Sequence, residues 1–378
     1  MRILVALDYY YPHWTGLSAY AKRLAEGMAA RGHAVTVLTA RHEPDLPAQE
    51  IINNVRIVRL PTLVRFSRGV IMPSFPIIAA QLIAAHDIVH VHTPMPEAFL
   101  VTGLARMLGK PSLVTHQGDV VMPAGFFNAL VQKGTFILSL GLSFATRVVV
   151  HSADYGRHSA FLAPFAHKLD AIYPPVELPA PQPDAVAAKR CQLGLTGKPV
   201  IGFAGRFVEE KGFDILLQAM PLIRERLPDA HLVFAGEIDV VYEDFYARCL
   251  PLVQQQADHL TMLGLLRDRQ ELANFYAMCD VFVLPSRTDC FPSVQLEALL
   301  SGTPLVTTNI PGAREVLQVT GMGELVEACN PAALADGIVT VIRHRSQYQP
   351  TRAMVERTFS LQASVGAYED LMKRLVRD

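Results

Sequence analysis

The sequence is poor in the features that would tie it to nucleic acid, to an oxidising compartment or to a bilayer interior. Charged residues make up only 18% of its 378 positions and the net charge is −1, so no global field draws the chain toward nucleic acid. Cysteine is scarce. Cys191, Cys249, Cys279, Cys290 and Cys329 contain no CxxC pair and are odd in number, which argues against a disulfide framework and for a reducing, cytoplasmic setting. The longest uncharged apolar stretch near the middle, Gly134 to Thr146, is too short to span a bilayer. The first residues, Met1 to Leu7, run into Asp8 and read as a strand rather than a signal peptide. Gly-x-Gly-x-x-Gly is absent, which weakens a dinucleotide reading. No two aspartates have the Asp-x-Asp spacing that would seat a metal, and no internal repeat or low-complexity tract occurs.

What is present is a large apolar fraction, 51%, laid out as short buried-strand runs alternating with helical patterns. Residues 2–8, 34–39, 87–94, 112–115 and 147–152 read as parallel strands of one α/β domain, with helices at 17–31 and 97–108 between them. A stretch with Pro179, Pro181 and Pro183 reads as a linker over residues 177–198. Strands at 200–205, 231–236, 261–266, 280–285 and 304–308 then form a second α/β domain. The expected division is a first domain over 1–176, a linker, a second domain over 199–345, and a last segment, 346–378, that returns to the first. The halves differ in charge: residues 1–176 hold 15 basic and 10 acidic side chains, residues 177–378 hold 19 and 25.

The most informative segment is Ser286 to Pro304, SRTDCFPSVQLEALLSGTP. It follows an apolar strand and reads as a loop and a short helix, with Pro292 at its start and Gly302 and Pro304 at its end. Loop residues Cys290, Phe291 and Pro292 lead into the helix start at Ser293 and Val294, whose unpaired N–H groups form an anion site. Asp289 and Glu297 flank that site. Two acids beside a phosphate-binding helix start suit a ligand with hydroxyls as well as phosphates, because carboxylates accept hydrogen bonds from sugar and ribose hydroxyls. A second site lies after strand 200–205, where Arg206 and Lys211 approach the mouth of the next helix and suit a diphosphate. In the first domain, His116 and Asp119 follow strand 112–115, at the end of the sheet where open α/β folds bind ligands.

The acid-x7-acid segment, the Gly205-Arg206-x4-Lys211-Gly212 pattern and His116 after its strand together resemble glycosyltransferase family 4, retaining enzymes of the GT-B fold. The resemblance covers essentially the whole chain. It implies two Rossmann-like α/β/α domains facing across a cleft, with a C-terminal helix crossing back to the first. It implies that Glu297 holds the ribose diol and that Asp289, where the family usually has Glu, holds hydroxyls of the donor sugar. Arg206 and Lys211 would hold the diphosphate, main chain at Leu265 the base, and His116 the donor sugar or its developing charge. Gly16 occupies one of two glycine positions that approach donor phosphates or acceptor. Asp119 would orient or deprotonate the acceptor.

The implied reaction moves a hexose from a UDP-, GDP- or ADP-sugar to a hydroxyl of a glycan, lipid-linked or small-molecule acceptor, with no cofactor and no metal. Two other readings stay open on the residues alone: a sugar-nucleotide epimerase of the same fold, and a non-catalytic nucleotide-sugar binder. Two stretches bear on the acceptor side. Arg56 to Ile71 interleaves arginines with apolar residues, a composition suited to peripheral contact with an anionic membrane face or to an ordinary solvated edge. Phe126 to Thr146, with Lys133 its single charge, reads as core helices or as an acceptor groove.

Overall fold

A computed structural model describes residues 1–13, 15–66, 69–119, 136–240 and 243–377. The chain divides into two compact units, Met1–Pro175 with Leu361–Asp378, and Val176–Ser360. The stretch read as a linker carries a helix, Pro183–Gln192, and belongs to the second unit; so do residues 346–360, including helix Arg352–Phe359. Pro183, the last of the three prolines, takes the first position of helix Pro183–Gln192.

The first unit is built on β1 (Arg2–Ala6), β2 (Ala34–Ala40), β3 (Gln49–Ile52) and β4 (Val55–Leu60), a small antiparallel pair β5 (Val64–Phe66) and β6 (Gly69–Ile71), and then β7 (Ile88–Thr93), β8 (Ser112–His116), β9 (Arg147–Val150) and β10 (Leu169–Ala171). The main sheet runs β10-β9-β8-β7-β1-β2-β4-β3 and is parallel except for β3. Its central strands are buried on both faces, which is why they read as unbroken apolar runs. Strand order reverses between β1 and β7, and the residues just beyond their C-terminal ends border the crevice where such sheets take ligands.

Helix Leu361–Arg377 closes this unit. Its Tyr368 hydroxyl lies 2.6 Å from that of Tyr20 and 2.9 Å from the Thr115 hydroxyl, and Thr115 in turn meets His90 Nε2 at 2.7 Å. His90 is thus a core residue, as its place inside a strand suggested. His92 and His151 are buried beside it. On the same helix Glu369 accepts from Arg31 at 2.7 Å and pairs with His33 at 2.9 Å.

The basic stretch Arg56 to Ile71 is not one surface. Arg59 is buried in β4, paired with Glu50, and donates to the Tyr11 carbonyl at 2.8 Å. Arg56 on the same strand is exposed, beside Gln49. Strand alternation, invisible in composition, sends the two arginines to different environments. Ser67 and Arg68 lie outside the described residues, as does 126–135 of the apolar stretch. Of the described remainder, 136–146, residues 136–144 form a helix with Leu138 and Leu142 buried and Phe136, Ile137 and Phe144 exposed.

The second unit has β11 (Val200–Ala204), β12 (His231–Ala235), β13 (Leu260–Met262), β14 (Val281–Leu284), β15 (Leu305–Thr308) and β16 (Gly323–Val326), all parallel, in the order β13-β12-β11-β14-β15-β16. Here the order reverses between β11 and β14. The two motifs singled out from the sequence follow these two strands, so topology brings them to the same crevice.

Candidate active site

In the second unit the loops leaving the sheet pack backbone against backbone. The Gly236 amide donates to the Gly264 carbonyl at 2.8 Å, and a Cβ on Gly236 would lie 1.8 Å from the Gly205 carbonyl oxygen. Gly212 adopts φ 67°, and a Cβ there would lie 2.1 Å from the Pro285 carbonyl oxygen. Only glycine meets both demands, so the loop after β11 seats directly on the loop after β14. Arg287 fastens the same junction. It forks onto Asp214 with bonds of 2.8 and 2.7 Å and donates to the Glu209 carbonyl at 2.8 Å. Neither Arg287 nor Gly312, whose absent Cβ lets its backbone lie against the Asp289 and Cys290 carbonyls, stood out in the sequence. Gly312 lies beyond the next strand, and only a contact map would have flagged it.

On this scaffold Lys211 Nζ donates to Asp289 Oδ2 at 2.6 Å. Burial alone would lower the Lys211 ammonium, but Asp289 and Glu210 outweigh it and hold it raised and charged. Asp289 is nearly enclosed, with its side chain 6% exposed. Arg206 lies 3.4 Å from Glu210 and is more open, 42% exposed. The cations and the first acid therefore form one cluster.

Helix Ser293–Leu300 starts at Pro292 with no side chain capping its first N–H groups. Glu297 faces inward from its second turn, where Oε2 accepts from the Tyr276 hydroxyl at 2.9 Å. Oε1 accepts no hydrogen bond from the described residues. Burial, with Glu297 beside it, holds the Tyr276 hydroxyl well above the usual range, so it stays a donor. Tyr276 is a positioning partner that the sequence did not reveal. Tyr276→Phe is expected to weaken nucleotide binding about tenfold, since a hydrogen bond to a charged acceptor contributes roughly 1.5–3 kcal/mol and orients the other oxygen. A lowered melting temperature with unchanged nucleotide Kd would reduce Tyr276 to a structural role.

Phe291 and Pro292 are buried, and Cys290 is partly so. Burial, then Asp289, pushes the Cys290 thiol up to about 12, so it is an inert neighbour rather than a nucleophile. Ser293 and Val294 are half-buried at the helix start. Leu265 is 53% exposed on the loop after β13.

The remaining candidates are in the first unit. Gly16 begins helix Gly16–Ala30 behind a Thr15/Ser18 capping box, and a Cβ on it would meet nothing within 4 Å. No steric demand of the described residues explains glycine there. His116 ends β8 and is 2% exposed. Its Nε2 meets Asp119 Oδ1 at 2.9 Å and its Nδ1 meets the Thr93 hydroxyl at 3.2 Å. Asp119 also accepts from the Ser159 hydroxyl on both oxygens, at 3.0 and 2.8 Å. Burial alone would raise Asp119, but His116 and Ser159 hold it below the usual carboxylate range. An acid so engaged is a poor base; its geometry is that of a partner orienting His116. A further acid pair, Asp8 after β1 and Glu97 after β7, borders the crevice of this unit. Burial and the neighbouring Glu97 raise Asp8 well above the carboxylate range, and burial raises Glu97 as well. Their spacing, 89 positions, hid them from any motif.

Two Rossmann-like units, one carrying a crevice with clustered cations, an open helix start and flanking carboxylates, define a GT-B glycosyltransferase. The family model for glycosyl transferases group 1 matches residues 187–358 and that for Glycosyltransferase Family 4 matches residues 14–179. The chain belongs to glycosyltransferase family 4. It is 27% identical over 373 residues to a GDP-mannose-dependent alpha-(1-6)-phosphatidylinositol monomannoside mannosyltransferase of Mycobacterium tuberculosis, covering 92% of this chain and 90% of that one. Among solved structures it is similar to sucrose-phosphate synthase from Thermosynechococcus elongatus, with TM-score 0.81, 22% identity, and 100% and 99% of the two chains covered. It is also similar to HepE of Anabaena in complex with UDP-glucose, with TM-score 0.76, 18% identity, and 99% and 100% covered.

Proposed function

We propose that this glycosyltransferase moves a hexose from a nucleoside-diphosphate sugar to a hydroxyl of a glycan, lipid-linked or small-molecule acceptor, with retention and without a metal. The observation that carries the reading is the meeting of Lys211 with Asp289 at the switch point of the second unit, beside the uncapped start of helix Ser293–Leu300. Lys211 keeps further N–H donors beyond the one given to Asp289. With Arg206 and the helix N–H groups it neutralises a departing diphosphate, where negative charge grows as the glycosidic bond breaks. Glu297 Oε1 accepts from the ribose diol, and Asp289 from sugar hydroxyls. Main chain at Leu265 receives the base.

Asp289, enclosed and salt-bridged to Lys211, is poorly suited to act as a nucleophile. A front-face route suits this crevice: the bond from C1 to the diphosphate oxygen breaks, the acceptor oxygen bonds C1 on the same face, and its proton passes to the leaving phosphate. His116, oriented by Asp119, acts on the transferring sugar. The mycobacterial relative's name pairs GDP-mannose with a phosphatidylinositol monomannoside, and the Anabaena complex holds UDP-glucose. Either fits the class proposed here. No helix among the described residues is long and apolar enough to cross a membrane. The reading places the reaction in the cytoplasm, with any contact at a membrane face peripheral.

A thermal-shift panel of UDP, GDP, ADP and their sugars identifies the donor, because a ligand that binds the folded state raises the melting temperature. Glu297→Ala is then expected to raise the Kd of that nucleotide by about tenfold or more. Equal affinity in parent and variant would remove Glu297 from the site. With the donor known, EDTA is expected to leave turnover unchanged; activity lost to EDTA and restored by a divalent cation would overturn the metal-free scheme. Inverted configuration in the product would overturn the front-face route.

A further inference from the structure

The first unit carries a second candidate ligand site, at the opposite end of β8 from His116. A pocket of about 530 Å³ opens at the N-terminal ends of β8 and β9. Its wall includes Arg106, Lys110 and Lys168, the polar Ser112 and Thr146, and the apolar Leu375. No carboxylate among the described residues lines it. The side chains of Arg106 and Lys110 make no ion pair and no hydrogen bond with the described residues.

Lys168 is fixed in the wall. Its ammonium donates to the carbonyls of Ser143 at 2.6 Å, Ala145 at 2.8 Å and Leu142 at 3.4 Å, at the end of helix 136–144, so its donors are spent on the helix end. Burial lowers it, and the neighbouring Arg106 lowers it further, a mark of uncompensated positive charge. Two helices, Ala98–Met107 and 136–144, also end at this pocket, each bringing roughly half a negative charge. Three full cations exceed what the two helix ends require, so the pocket remains positive.

We propose that this pocket binds the phosphate group of a ligand other than the sugar donor, with Arg106 and Lys110 as its contacts and Lys168 adding positive charge from the wall. Met107 and Leu108 are exposed close by and Phe144 lines the pocket, so the phosphate could belong to a free metabolite or to a phospholipid headgroup. The site's location does not depend on the donor assignment, since the donor cradle is in the other unit.

The test is calorimetric titration with inorganic pyrophosphate at low ionic strength, where exposed cations are least screened. Arg106→Glu/Lys110→Glu is expected to bind one pyrophosphate fewer than the parent, or to bind it at least about tenfold more weakly at one site. The count falls from two to one if the donor cradle also takes pyrophosphate, and from one to none if it does not. A failure of the donor assignment is therefore distinguishable. Nucleotide affinity is expected to be the same in both proteins. Equal pyrophosphate stoichiometry and affinity would overturn the proposal. Should charge reversal prevent folding, Arg106→Gln/Lys110→Gln carries the same comparison.

A parallel arm sediments the protein with vesicles of phosphatidylcholine alone or with phosphatidylglycerol. Sedimentation with the anionic vesicles, lost in the double variant, assigns the phosphate to a lipid. Pyrophosphate binding without such sedimentation assigns it to a soluble ligand.

Discussion

Acidification from pH 7 to pH 5 is expected to lower the free energy of unfolding by on the order of 4 kcal/mol through His90 and His151 alone. Burial lowers both to about 3, and it places His92, packed between them, well below its usual value. In the unfolded chain each titrates near its ordinary value of about 6.5. Between these two limits the unfolded state binds more protons than the folded one. The stabilisation is complete above about pH 6.5 and is lost progressively as the pH falls toward 3. Charging one of these rings in place would break a packed cluster, since His90 and His92 lie 4.3 Å apart and His151 lies 5.0 Å from Tyr20. Urea unfolding at pH 7 and pH 5 reads the effect. His151→Phe should shallow the slope by its share. A midpoint that does not move between the two pH values would mean that these histidines are already charged in the folded protein.

His116→Ala is expected to lower kcat by on the order of 10²- to 10³-fold while changing nucleotide Kd little, because a preorganised group acting on developing charge has about that effect. The geometry fixes the state of the ring. Asp119, held ionised, can only accept, so Nε2 carries the proton; in the neutral ring Nδ1 then accepts from the Thr93 hydroxyl. Both nitrogens are engaged, Nε2 with Asp119 at 2.9 Å and Nδ1 with Thr93 at 3.2 Å. Asp119→Asn frees the tautomer and is expected to give an intermediate loss in kcat. A turnover for His116→Ala within about tenfold of the parent, or a parallel loss of nucleotide affinity, would take His116 out of the chemical step.

The elements themselves were legible in the sequence because they are encoded locally. Apolar runs of four to seven residues marked the buried strands, and Pro292 and Gly302 marked the ends of the Glu297 helix. Arg206, Lys211, Asp289 and Glu297 could be named because each sits at a fixed offset from a strand end. What each side chain touches was not legible. The expected division of labour, cations for phosphate and Asp289 for sugar, omitted their salt bridge. Asp119, expected to handle the acceptor, is tied to His116 and Ser159. Arg59, grouped with a basic surface, is buried.

By itself, then, the sequence determined two α/β units and the residue types at the ends of their strands, because strand and helix periods and turn chemistry depend on neighbours in the chain. Only the tertiary structure decided which of those ends are adjacent. Strand order set β11 beside β14 and so brought Lys211 to Asp289 across 78 positions of sequence, and it set Tyr276 against Glu297 and Asp8 against Glu97. The protonation of such groups follows from burial and from the charges that folding places next to them, and neither is a property of any short stretch of chain.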